Sequence, residues 1–228
     1  RPAKFWEDQA ARLVDAQAAG LASRVRRLAA LPGSGEAWPA RVLGQLGRLS
    51  LAAHAMGRCL GIEKQEFLSA FHGFAGVKRR QEKRGERRGV LVIDDFAHHP
   101  TAVRETVEAV KSSYHGRRVW AVFEPRSNTS KRNIFEQEFA EALALADQVV
   151  LANVYQPEKV PETERLSVET VAGLINRASA APKARVIGGA AAIASQLAGD
   201  AEPGDVVLVM SNGGFDSVHE KILDALAR

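Results

Sequence analysis

The feature that most constrains the fold is the run Val90-Leu91-Val92-Ile93, which stops abruptly at Asp94-Asp95-Phe96-Ala97-His98-His99-Pro100. A short, uninterrupted apolar run rich in β-branched residues reads as a buried strand. Thr101 to Ser113 then reads as a helix, so the polar cluster falls between a strand's carboxyl end and a helix amino terminus. In open α/β sheets that edge is where ligands bind. A helix amino terminus adds unpaired N–H groups and a partial positive charge, which suit anions.

The arrangement repeats downstream. Strands are predicted over 118–124, 148–152, 184–187 and 205–210, and helices over 134–146, 168–179, 190–197 and 215–226. Residues 79–87 and 90–94 are predicted to form a hairpin turning at Gly89. Alternating strands and helices imply an α/β fold with a doubly wound, mostly parallel, Rossmann-like sheet. Right-handed crossovers place the strand ends on one edge. Three polar segments meet there: Asp94–His99, Glu124–Arg132 and Ser211–Asp216.

The first third differs. Apolar residues recur at helical spacing over 5–31 and 40–60, Pro32-Gly33-Ser34-Gly35 separates these stretches, and a further helix is predicted over Lys64–His72. The expected organisation is a helical segment over 1–72, a linker and first strand over 73–89, and the α/β domain over 90–228.

Composition narrows the class. The 228 residues are 46% hydrophobic and 25% charged, as in ordinary globular proteins. No apolar run approaches the roughly 20 residues that span a bilayer, so no membrane partner is expected. The first residue is Arg1 and no secretory leader follows it. Cys59 is the only cysteine, which excludes an internal disulfide and fits a reducing cytoplasm; on an alanine-rich helix it is expected to pack. Lys78, Arg79, Arg80, Lys83, Arg84, Arg87 and Arg88 crowd one segment. They suit a solvated strand pair or a nucleotide's phosphates; no aromatic residues alternate with them, as a nucleic-acid stacking platform requires.

Each polar segment has two readings. Asp95 can hold a ribose hydroxyl or, through water, a magnesium ion, or it is a turn residue. Adjacent His98 and His99 point in different directions and do not make a zinc pair. In Glu124-Pro125-Arg126-Ser127-Asn128-Thr129-Ser130-Lys131-Arg132-Asn133, Arg126 suits a carboxylate or phosphate. The alternative is a solvated loop capped at Ser130 or Asn133. In Met210-Ser211-Asn212-Gly213-Gly214-Phe215 the glycines let main-chain N–H groups approach an anion, or they only make a tight turn. The chain contains no Gly-Lys pair, hence no phosphate-binding loop of the Gly-x-x-x-x-Gly-Lys-Ser/Thr type.

Asp94-Asp95-Phe96-Ala97-His98-His99-Pro100-Thr101, Glu124-Pro125-Arg126-Ser127-Asn128-Thr129 and Met210-Ser211-Asn212-Gly213-Gly214-Phe215, in this order, resemble the carboxy-terminal domain of the Mur ligase family. Within it they are similar to members that join UDP-N-acetylmuramate to the murein tripeptide L-alanyl-γ-D-glutamyl-meso-diaminopimelate. The resemblance implies ATP-driven amide formation through an acyl phosphate, with ATP and Mg2+ held largely by a central domain. It implies that residues 1–72 are the tail of that domain, that the chain is a carboxy-terminal part of a ligase, and that it is inactive alone; the alternative is a stand-alone peptide- or nucleotide-binding module of the same fold. By position, Arg80, Asp95 and His98 lie on the nucleotide side, and Arg126, Asn128, Ser211, Asn212 and Gly213 face the incoming peptide. Phe96 stands where relatives often carry Tyr, which removes a phenolic contact.

Overall fold

The structure, a computed structural model, describes residues 57–72 and 78–228. The chain divides into two compact units, Arg1–Ala75 and Gly76–Arg228. The helix predicted over 5–31, and all but the end of that over 40–60, lie outside the described residues. That end follows from its sequence. Gly61 takes φ +81°, while Gly61 N–H donates to Arg58 O (3.1 Å) and Ile62 N–H to Gly57 O (2.9 Å). This pair of bonds satisfies carbonyls that the helix leaves open, and a left-handed residue there favours glycine. Helix α1 (Lys64–His72) follows as predicted. Cys59 is exposed, contrary to its expected packing role.

The second unit is built on a six-stranded sheet. Strands β1 (Glu82–Arg87) and β2 (Val90–Asp95) form the predicted hairpin. Its two turn residues, Arg88 and Gly89, both have positive φ, which matches the right-handed twist of the flanking strands. Helix α2 (Pro100–Ser113) and strand β3 (Val119–Phe123) follow, then α3 (Glu136–Leu143) and β4 (Gln148–Leu151). The chain continues through α4 (Val168–Ala178), β5 (Ala184–Val186), α5 (Ala190–Asp200), β6 (Val206–Met210) and α6 (Val218–Leu226).

The strand order is β1-β2-β6-β3-β4-β5, with β1 antiparallel and the others parallel. The chain runs outward from β2 to β5 and then returns to insert β6 between β2 and β3. Because crossovers are right-handed, the outward run puts α2, α3 and α4 on one face and the return puts α5 on the other. The cores agree. Leu91, Ile93, Ala121, Phe123 and Leu208 face α2–α4, while Val90, Val92, Trp120, Val122 and Val207 face α5 and α6. Burial on both faces is why these strands read as continuous apolar runs.

Two helix starts differ from expectation. Residues 133–135 form a separate 3-10 turn before α3, and the amino-terminal cap of α3 is Phe135, so neither Ser130 nor Asn133 caps that helix. Phe215–Ser217 form a turn in which all three residues have φ between 45° and 50°. Phe215 is anchored in the core, so the chain must reverse sharply to start α6. The left-handed conformation is the means of that reversal, and it costs roughly 1–2 kcal/mol per residue with a side chain.

Candidate functional site

The tips of β2, β3 and β6 lie side by side in the sheet, which brings the three polar segments together at its carboxyl edge. At the β2 tip, Asp95 is buried. Its Oδ1 accepts from Ala97 N–H (2.7 Å) and Thr106 Oγ1 (3.4 Å), and its Oδ2 from Gln81 N–H (2.9 Å). Burial nonetheless pushes this carboxyl above its ordinary range, outweighing those donors and Arg80. Both Asp95 oxygens thus accept from protein donors, as those of a turn residue do. Arg79 and Gln81 have left-handed φ values of 57° and 51°, and between them Arg80 is exposed. The guanidinium carbon of Arg80 lies 5.2 Å from the Phe96 ring centroid, and the His98 ring meets Phe96 edge-on. Arg80 and His98 are thus gathered around Phe96. His98 Nδ1 lies 2.8 Å from Phe96 O, so that nitrogen donates and Nε2 of the neutral ring carries the lone pair. His99 packs against Phe135 instead, which separates the two histidines.

Beneath this tip lies a buried charge cluster. Asp94 Oδ2 is 3.4 Å from Arg79 Nε, and Asp94 Oδ1 is 3.2 Å from His219 Nε2 without hydrogen-bond geometry. Burial alone would raise the Asp94 pKa, but the His219 ring, then Arg79 and Arg84, hold it below the usual carboxylate range. Arg79 also donates to the carbonyls of Ser211 and Gly213, the latter at 2.8 Å.

The β3 and β6 loops interlock. Ser211 Oγ donates to Glu124 Oε2 (2.6 Å) and accepts from Gly213 N–H (3.0 Å). Arg126 Nη1 is 3.6 Å from the same Glu124 oxygen. The Arg126 side chain lies directly on Gly213, where a Cβ would come within 1.9 Å of Nε. Its guanidinium carbon is 3.5 Å from the Tyr155 ring centroid. Ser130 caps the turn beneath it, its hydroxyl accepting from Arg126 N–H (3.0 Å) and Ser127 N–H (2.9 Å). Asn212 Oδ1 is buried with no partner, and Asn128 is exposed.

These facts sort the peptide-side residues. Arg126 keeps free polar groups at the edge, whereas the unpaired Asn212 Oδ1 is buried. Ser211, expected to meet a ligand, is buried with its hydroxyl bonded inside the protein. Gly213 spends its N–H on Ser211 and its carbonyl on Arg79, so the glycine provides room for Arg126 and not a nest for an anion. Three residues were not singled out from the sequence: Arg79, Glu124 and Tyr155. Tyr155 follows β4, whose end lies on the same edge, and that position was the available signal. The inward turn of Arg79 had none, since two adjacent arginines look alike until the backbone fixes which one faces the core.

Arg80, Phe96 and His98 fit the outer surface of a nucleotide, with a cation, a ring and a lone pair. Among the described residues no group of three or more His, Cys, Asp or Glu is placed to hold a metal ion.

Comparison with known proteins agrees with this geometry. The family model described as Mur ligase, glutamate ligase domain matches residues 79–213. A second model, the SWIM-associated four-helix bundle domain, matches residues 1–67. The chain is 41% identical over 180 residues to the UDP-N-acetylmuramate–L-alanyl-γ-D-glutamyl-meso-2,6-diaminoheptandioate ligase of Escherichia coli, covering 78% of this chain and 36% of that one. It is 36% identical to the UDP-N-acetylmuramate–L-alanine ligase of Streptomyces avermitilis, covering 78% and 38%. Among solved structures it is similar to a murein peptide ligase from Psychrobacter arcticus, with a TM-score of 0.62 and 32% identity over 82% of this chain and 37% of that one. The chain therefore spans little more than a third of the length of the relatives it matches. The interlocked loops, the sheet order and the match over residues 79–213 lead to one conclusion: this chain belongs to the Mur ligase family.

Proposed function

We propose that this chain is the carboxy-terminal part of an ATP-dependent amide ligase of peptidoglycan recycling. The parent enzyme joins UDP-N-acetylmuramate to L-alanyl-γ-D-glutamyl-meso-diaminopimelate, and residues 1–72 are the tail of its central domain. The observation that carries the peptide side is Arg126. Its guanidinium makes no hydrogen bond among the described residues beyond the loose contact with Glu124, which leaves its donors free for a carboxylate. Asn212, which precedes the Gly213 that Arg126 lies on, is assigned to the same ligand. Asn128, exposed at the rim, completes the peptide side.

On the nucleotide side Arg80, Phe96 and His98 contact ATP, and Asp95 holds the turn that presents them. Mg2+ belongs with the central domain. The chain's contribution to ligation is to position the amine-bearing peptide, since orientation removes much of the entropy of a two-substrate reaction. The sequence has no phosphate-binding loop of the Gly-x-x-x-x-Gly-Lys-Ser/Thr type to grip the transferred phosphoryl, and on this reading the chain alone is inactive.

Calorimetric titration of the chain with the tripeptide tests this directly. Saturable heat that disappears in Arg126→Ala is expected, with much weaker binding of L-alanine. Equal affinity for L-alanine and the tripeptide would move the assignment to an L-alanine-adding ligase. Ligation by the isolated chain above a protein-free control would refute the claim of inactivity.

A further inference from the structure

Tyr155 is the least expected member of the edge. It follows β4, and its N–H donates to Pro125 O at 3.0 Å, continuing the pairing in which Ala152 N–H donates to Phe123 O. Its backbone is therefore in register with the residue just before Arg126. The Arg126 guanidinium carbon sits 3.5 Å from the Tyr155 ring centroid, the van der Waals spacing of two stacked planes. At that distance the planar guanidinium lies flat on the ring, because a tilted one would drive an N–H into it. Stacking covers a face of the guanidinium and leaves its edge, where all the N–H donors point. The Arg126 side chain is meanwhile confined along Gly213 and drawn toward Glu124 Oε2. A long side chain that would otherwise sample many rotamers is held with one edge presented.

We propose that Tyr155 is the positioning residue for Arg126, fixing the plane in which a peptide carboxylate is received by two parallel N–H bonds. The proposal rests on the assignment of Arg126 as a peptide-carboxylate group. Tyr155 touches no ligand in this role; it selects a planar anion approaching edge-on. A tyrosine that merely filled space would be replaceable by any apolar residue of similar volume. A positioning ring needs its π face and not its hydroxyl.

The test uses the whole chain with L-alanyl-γ-D-glutamyl-meso-diaminopimelate as the probe. The Hε resonance of Arg126, assigned by its disappearance in Arg126→Lys, is expected upfield in the wild type through the ring current of Tyr155. Tyr155→Phe is expected to keep that shift and bind within about twofold of the wild type. Tyr155→Leu is expected to lose the shift and weaken binding about tenfold, the scale of a cation–π contact, with an unchanged urea midpoint. A wild-type Hε signal without an upfield shift overturns the proposal without reference to any ligand or variant. Tyr155→Leu binding as tightly as the wild type overturns it while leaving the peptide assignment standing, as does Tyr155→Phe binding as weakly as Leu. An upfield Hε in a wild-type chain that binds no tripeptide overturns the peptide assignment and the proposal together.

Discussion

Arg79 Nε stands 3.4 Å from Asp94 Oδ2 while its Nη2 reaches the carbonyls of Ser211 and Gly213, so one side chain joins the tip of β2 to the β6 loop. Both ends of the clamp carry weight. Asp94 is buried, and the loop carbonyls would otherwise lack these donors.

Truncating Arg79 tests the clamp. Arg79→Ala leaves Asp94 with the His219 ring, 3.2 Å away, as its remaining close partner. Breaking a buried pair costs about 3–5 kcal/mol, and the partial exposure of Arg79 reduces this to roughly 2 kcal/mol. Urea denaturation is expected to show that loss with an unchanged m-value. A loss below about 0.5 kcal/mol would show that the loop holds itself.

Gly213→Ala separates site from scaffold. Its Cβ would meet Arg126 Nε, Cδ and Cζ at 1.9–2.3 Å, and these are atoms of a flexible side chain. Arg126 is expected to swing away at a stability cost below about 1 kcal/mol, while tripeptide binding is lost. Retained binding in titration calorimetry would show that Arg126 does not act from this position.

The turn at 215–217 predicts a gain. Ser217 has φ 50° and ψ 39°, a conformation that an L-residue adopts at a cost and glycine adopts freely. Ser217→Gly is expected to stabilise the domain by about 0.5–1 kcal/mol after the entropy of the unfolded glycine is subtracted. Thermal denaturation checks the sign, and destabilisation would show that the serine is not strained.

The acid limb of stability is set at the opposite edge. Asp205 accepts from Arg118 Nη2 (2.7 Å), Trp120 Nε1 (2.8 Å) and Glu202 N–H (3.0 Å). Burial would raise its pKa, but Arg118, the Glu202 N–H and Trp120 override burial and lower it. A carboxyl depressed on folding stabilises above its unfolded pKa of about 4, and that stability is lost as pH falls through the folded value. Asp94 acts in the same direction. Asp95 is raised and acts oppositely: relative to acid, its stabilisation falls as pH rises from about 4 to its folded value. Chemical denaturation from pH 7 to pH 2 is expected to show stability falling below about pH 4, with a shallower fall in Asp205→Asn. An unchanged slope in that variant would remove Asp205 from the account.

Asp95→Asn tests the turn at the β2 tip. The amide keeps one oxygen for Ala97 N–H but sets an NH2 group against Gln81 N–H, which donated to Oδ2. A cost of about 1–3 kcal/mol is expected from the unsatisfied donors. Hydrogen exchange at Gln81 should accelerate more than at Ala97, and equal protection at both would refute the assignment of the two oxygens.

The sequence by itself determined the alternation of elements and the identity of the edge that carries polar groups. Buried parallel strands such as 90–95 and 206–210 are apolar throughout, and their ends are marked where polar residues begin. It also determined the family, since three motifs sit at three strand ends. The tertiary structure decided which motif residues face outward. Ser211 and Gly213 look like ligand contacts until Glu124, Arg79 and Arg126 arrive from other strands to occupy them. Asp95 turns inward because Gln81 and Thr106, distant in sequence, converge on its carboxylate. Tyr155 joins the edge only through the pairing of β4 with β3. Strand propensity and polarity are local and can be read residue by residue. The partner of a buried donor or acceptor is set by sheet order, which no single segment encodes.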